Sequence, residues 1–137
     1  MVYRENMLYS EEYCRLRDSV GWIKITRLQA ENILSKSLYT ATAVNGKETI
    51  AMGRLIANDK YFMIVDVIVR PDFQNRKIGT SILNMLIDYV KNHTPAGQSS
   101  KIYLISEKGK EHFYENLGFV KIPHKRYSSS MRKIIYN

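Results

Sequence analysis

Residues 61–90 read YFMIVDVIVRPDFQNRKIGTSILNMLIDYV, and this stretch decides the fold. Tyr61 to Val69 is apolar or aromatic except for Asp66 and is rich in Ile and Val, the pattern of a strand buried on both faces. Pro71 has no N–H to give a ladder and keeps Arg70 extended, so the strand stops there. Beyond it Ile78, Ile82, Met85, Leu86, Tyr89 and Val90 recur at helical spacing, with Pro95 and Gly97 past the end, which predicts a helix beginning near Gly79. The joint is a strand, a basic turn (Gln74-Asn75-Arg76-Lys77) and a helix N-terminus. Unpaired N–H groups and a partial positive charge at such an end suit an anionic group such as a phosphate.

Working outward, residues 2–8 predict a first strand and Ser10-Glu11-Glu12 a helix start with Tyr13 and Leu16 on one face. Gly21-Trp22 breaks that helix, and a second runs from Thr26 to about Ser37. Leu38 to Val44 and Glu48 to Ala57 predict two strands. The Asn45-Gly46 pair between them signals a hairpin, since both residues tolerate positive φ. A turn at Asn58-Asp59-Lys60 leads into the central strand. After the long helix come a loop from His93 to Ser100, a strand from Lys101 to Ile105 parallel to the central one, and a helix from Lys108 to Leu117 capped by Gly118. Phe119 to Ile122 and Ser128 to Ile134 predict two closing strands. The order βααβββαβαββ describes an α+β domain whose mixed sheet joins an antiparallel N-terminal meander to a parallel pair.

At 137 residues the chain predicts one domain, 1–137, with room for a hydrophobic core. Its 45% hydrophobic and 25% charged content is that of a soluble globular protein. No apolar run approaches the ~18 residues that would cross a bilayer, and the N-terminus lacks the apolar core of a signal peptide. Cys14 is the only cysteine, so no internal disulfide can form and a cytoplasmic location is the expectation. The net charge of +8 suits either nucleic acid or a phosphate-rich small molecule. The basic residues are scattered, with loose clusters at 70–77, 121–126 and 132–133, and no zinc-finger or ribonucleoprotein motif accompanies them. A nucleic-acid partner is therefore the lesser reading. His93, His112 and His124 share no metal-ligand spacing, and no metal is expected.

Gly79 is the only glycine between Gly53 and Gly97, so neither common glycine-rich nucleotide loop can be written. What can be written is Val69-Arg70-Pro71-Asp72-Phe73-Gln74-Asn75-Arg76-Lys77-Ile78-Gly79 and, later, Phe113-Tyr114-Glu115-Asn116-Leu117-Gly118-Phe119. These resemble the V-x-P-x-[FY]-[QR]-x-x-G-x-[GA] and F-Y-x-x-x-G-F blocks of the GNAT superfamily of N-acetyltransferases. The resemblance covers nearly the whole chain, and Gly21-Trp22 and Met52-Gly53-Arg54 are similar to the small-amine acetyltransferases within it. Two positions depart: Lys77 stands at the first glycine of the loop, and Glu107 stands where an asparagine is usual.

The resemblance implies a GNAT-like mixed sheet with helices on both faces and acetyl-coenzyme A as co-substrate. It implies direct attack by a primary amine, with a small molecule as the expected acceptor. No membrane partner is expected, and the oligomeric state is left open, a homodimer included. Val67, Ile68 and Val69 would present backbone groups to the pantetheine arm, and an amide of Val67 or Ile68 would stabilise the oxyanion. Gln74, Asn75, Arg76, Lys77, Ile78, Gly79 and Thr80 would hold the pyrophosphate, with Gly79 allowing close approach. Tyr114 would protonate the departing thiolate. Asp66, the lone acid of the strand, reads as a base for the amine acting through water, as a charge that attracts the ammonium form, or as a structural residue bonded to neighbouring backbone or to Arg54. Trp22, Tyr39 and Tyr61 are candidates for the acceptor pocket, with core packing as the alternative for each. The competing classes are an acyl-coenzyme A sensing module without turnover and a basic nucleic-acid binder.

Overall fold

The computed structural model describes residues 1–57, 61–123, 131, 133, 134 and 136. It forms two compact units, Met1–Leu104 and Ile105–Asn137. In the first, β1 (Val2–Glu5), α1 (Ser10–Ser19), α2 (Arg27–Ser35), β2 (Tyr39–Asn45), β3 (Glu48–Ala57), β4 (Tyr61–Val69), α3 (Ile78–Asn92) and β5 (Lys101–Tyr103) follow in that order. The sheet runs β1-β2-β3-β4-β5, antiparallel through β4 and parallel between β4 and β5.

Alternation along β3 separates two apolar layers. Met52 joins Leu8, Tyr13, Leu16, Ala30 and Ile68 in a core beneath α1 and α2. Gly53 faces the other way, toward α3, where an added Cβ would lie 2.7 Å from Ile82 Cγ2 and 3.0 Å from Leu86 Cδ1. Both side chains are fully buried, so the glycine is what lets helix and sheet approach. Helices therefore cover both faces.

The start of α2 follows from Thr26, whose Oγ1 accepts from Gln29 N–H while the Gln29 side chain accepts from Thr26 N–H, satisfying two donors that a helix end leaves open. The β2–β3 hairpin differs from its sequence reading. Asn45 stays in the strand, paired with Glu48, and only Gly46 takes positive φ, at 64°. A two-residue turn with glycine at its first central position needs no second left-handed residue.

The second unit contains α4 (Glu111–Glu115), shorter than the 108–117 reading. Gly118, at φ 94°, ends the turn that follows it. Residues 119–122 form no strand, because no ladder partner is present for them among the described residues. The predicted partner strand, Ser128 to Ile134, falls largely outside the described residues, as do the 58–60 turn and His124. Among the described residues no helix is long and apolar enough to cross a membrane, and no group of three or more His, Cys, Asp or Glu could hold a metal ion.

Candidate active site

The turn between β4 and α3 is built to leave donors open. Pro71–Phe73 forms a single 3-10 turn, after which Asn75 and Lys77 both take left-handed backbone, at φ 63° and 62°. Lys77 is the N-cap of α3 and makes no side-chain cap bond. The first helical hydrogen bond of α3 is Ser81 N–H to Lys77 O at 3.2 Å. Among the described residues the N–H groups of 75–80 have no acceptor. A helix start with no capping side chain and a left-handed turn in front of it has the make-up of an anion cradle, since its open amides and the positive end of the helix dipole suit a negative group. Gln74 braces the turn by donating from Nε2 to Val69 O at 3.0 Å.

The charge around this cradle is narrower than the sequence suggests. Arg70 donates to both carboxylate oxygens of Asp72 and to Glu48 Oε2, each at 2.7 Å. Those hydrogen bonds raise the guanidinium above its usual pKa, and the Arg70 bond holds the Asp72 carboxyl below its usual range. Arg70 is thus neutralised locally. Arg76, whose guanidinium lies 5.1 Å from the centre of the Phe73 ring, and Lys77 remain as the cations of the turn.

Beside the cradle β4 has an open edge. Pairing with β5 covers only Tyr61, Phe62 and Met63, so Ile64 to Val69 has no strand partner on that side among the described residues. The Lys101–Ile105 strand predicted from sequence stops at Tyr103. Arg70 N–H bonds Ile50 O on the β3 side at 2.8 Å. Counting back by twos, the backbone of Val69 and Val67 points away from β3, toward the open edge. Here β4 also carries a bulge. Met52 pairs with Ile68 and Arg54 with Val65, so Asp66 and Val67 together oppose Gly53, and Asp66 sits at φ 54°. Bulges of this kind re-aim a strand and favour the neighbourhood of sites.

Asp66 is held rather than free. Tyr13 Oη donates to its Oδ2 at 2.6 Å, and Arg54 Nε donates to the same oxygen at 2.8 Å. The Arg54 side chain is 8% exposed and that of Asp66 15%. Arg54 also donates from Nη1 to Ser37 Oγ at 2.7 Å and to Ile33 O at 3.2 Å, tying α2 to the bulge. Burial first, and then the bond to Asp66, push the Tyr13 hydroxyl up to about 12. No periodicity could have revealed Tyr13, which lies 53 positions from its partner.

The three aromatic candidates do not converge. Trp22 packs against the α1–α2 core with the Arg17 guanidinium 5.2 Å from its ring centre. Tyr39 is on the α3 face, paired with Leu55, stacked 4.5 Å from Tyr89, and donating to Glu5 Oε1 at 2.7 Å. Tyr61 opens β4 with its ring edge against Tyr103 at 5.8 Å.

In the second unit, Tyr114 lies in α4 with Phe113 at 5.0 Å and Phe119 at 6.0 Å between ring centres. Burial, and secondarily the charge of Glu107, raise its pKa, so the hydroxyl keeps its proton at neutral pH. Leu117 and Phe119 both return N–H groups to Tyr114 O, at 3.0 and 3.2 Å, which fixes the turn around it.

The model of the Acetyltransferase (GNAT) family matches residues 5–119, and the chain belongs to that family. It is 27% identical over 123 residues to the "Uncharacterized N-acetyltransferase ycf52" of Pyropia yezoensis, covering 86% of this chain and 67% of that protein. Among solved structures, a Staphylococcus aureus protein described as a "Probable Acetyltransferase" superposes with a TM-score of 0.82 at 28% identity, over 98% of this chain and all of the other. An aminoglycoside 6'-N-acetyltransferase complexed with coenzyme A shares the fold, with a TM-score of 0.68 at 16% identity over 86% of this chain and 84% of its own.

Proposed function

We propose that the protein transfers the acetyl group of acetyl-coenzyme A directly to the primary amine of a small molecule. The observation that carries this reading is the run of N–H groups at 75–80 with no acceptor among the described residues, at an uncapped helix start next to an unpaired strand edge. The amides of Arg76 to Thr80, with the side chains of Arg76 and Lys77, would bind the pyrophosphate. The strand edge at Val67 to Val69 would take the pantetheine arm by main-chain hydrogen bonds, as an added strand does. Acetyl-coenzyme A supplies an activated thioester, whose carbonyl carbon is the electrophile.

In the step itself the neutral amine nitrogen bonds to that carbon, and a backbone amide at the bulge receives the developing oxyanion. The carbon–sulfur bond then breaks, the amine loses its extra proton to water, and Tyr114 gives a proton to the thiolate. Products are an N-acetyl amine and free thiol. Tyr114 enters on its sequence block and its retained proton. With a raised pKa the transfer to a thiolate of pKa about 8.5 is uphill, so positioning has to carry it. An amine of lysine-like pKa, about 10.4, is neutral in only about one molecule in a thousand near pH 7.4, so the acceptor site has to favour that form. Both bonds to Asp66 fall on Oδ2, which favours a positioning role for this residue.

Free-thiol release from acetyl-coenzyme A is the test, run over aromatic amines, polyamines, aminoglycosides, amino acids and lysine peptides. Amine-dependent release with at least one acceptor is the expected result. Tight coenzyme binding without release would instead mark a sensing module. Steeply salt-dependent RNA or DNA binding with no coenzyme binding would mark a nucleic-acid protein.

A further inference from the structure

We infer that Tyr13 and Arg54 are positioning residues for acetyl transfer: together they clamp Asp66 in left-handed backbone and so set the direction of the β4 amides beyond the bulge. The inference rests on the acetyltransfer reading above. Among the described residues Asp66 is one of four non-glycine residues with positive φ, the others being Asn6, Asn75 and Lys77, and of these it alone sits inside a strand. Left-handed backbone is costly for a non-glycine residue, and it persists where surrounding structure over-determines it. Here the over-determining contacts are visible. One carboxylate oxygen takes Tyr13 Oη and Arg54 Nε at 2.6 and 2.8 Å.

Each clamp residue is itself fixed. Tyr13 is 1% and Arg54 6% exposed. The Arg54 guanidinium lies 5.8 Å from the centre of the Tyr13 ring, and Arg54 is tied to α2 through Ser37 and Ile33. Among the described residues the groups bonded to the Asp66 side chain are thus Tyr13 from α1 and Arg54 from β3. Without the clamp, β4 could relax toward regular pairing with β3. A one-residue slip then reverses the side of the strand to which each following group points, and Val67 and Val69 would lose the open edge. The geometry therefore gives Asp66 a task that does not require it to accept a proton.

The experiment compares Tyr13→Phe, Asp66→Asn and Asp66→Ala with the unmodified chain. It measures steady-state kinetics across pH, coenzyme A affinity by calorimetry, and the backbone amide resonances of residues 65–68. Tyr13→Phe keeps the ring and its packing while removing the one hydroxyl. It is expected to lower kcat about tenfold, equivalent to about 1.4 kcal/mol, at every pH, with coenzyme A affinity within about twofold and the 65–68 resonances displaced. Asparagine adopts left-handed backbone more readily than alanine, and its carbonyl can still accept from both partners. Asp66→Asn should therefore lose several-fold less kcat than Asp66→Ala.

Equal losses in the two Asp66 variants, together with loss of the acidic limb of the pH profile, would make Asp66 the proton acceptor and overturn the clamp. Unchanged kcat and resonances in folded Tyr13→Phe would overturn it as well. If the unmodified chain neither binds coenzyme A nor releases thiol, the acetyltransfer reading fails. The resonance arm still tests the clamp in that case.

Discussion

Two residues show how much chemistry depends on one atom. Tyr114 keeps its proton because burial raises its pKa, and it is offered as the donor to the leaving thiolate. Tyr114→Phe is therefore expected to lower kcat by about 10²–10⁴-fold, the usual span for a general acid, while coenzyme A affinity by calorimetry changes little. Unchanged turnover across pH would remove the residue from the mechanism. Lys77 occupies a left-handed position, φ 62°, where its own Cβ is unwelcome. Replacing it by glycine relieves that strain but adds freedom to the unfolded chain. Lys77→Gly should still gain about 0.5–1 kcal/mol in urea unfolding, with weaker coenzyme A binding from the lost charge.

Among elements, α3 serves two ends, since its N-terminus carries the open amides of the turn and its body packs on the sheet. Gly53 permits that packing. Gly53→Ala would drive a methyl to 2.7 Å from Ile82 Cγ2 in a layer with no exposed side to yield, and about 1–3 kcal/mol of destabilisation is expected in chemical denaturation. At the other end, Gly79→Trp fills the space before the first helical amides and should abolish coenzyme A binding in calorimetry while leaving the fold intact by circular dichroism. Undiminished binding would move the cradle elsewhere.

At the scale of the molecule, two buried tyrosines make stability sensitive to alkali. Tyr13 rises from its ordinary 10.0 to about 12, and Tyr39 rises too, in each case from burial first and then a bond to a carboxylate. A group whose folded pKa exceeds its unfolded one stabilises fully below the unfolded value and loses that contribution as pH climbs through the folded one. The urea midpoint should hold steady up to about pH 10 and fall between about pH 10 and 12. Tyr13→Phe should flatten part of that decline. A midpoint that stays level through this window would show that neither hydroxyl is held as described.

The order of elements, the Tyr61–Val69 strand and the motif-bearing turn were all legible from local pattern. Burial on both faces, the proline stop and helical spacing are properties of neighbours along the chain. The closing strand at 119–122 was misread because a short apolar run carries no record of whether a partner lies beside it. Arg70 counts as a free cation in the 70–77 basic cluster on sequence alone, yet Glu48, 22 positions earlier, binds it. Local chemistry thus determined the scaffold and the family. Only the fold decided that β5 ends at Tyr103, that Asp66 turns left-handed, and that Tyr13 and Arg54 meet on one carboxylate oxygen. Those features arise from contacts between residues far apart in the chain, and no periodicity encodes such contacts.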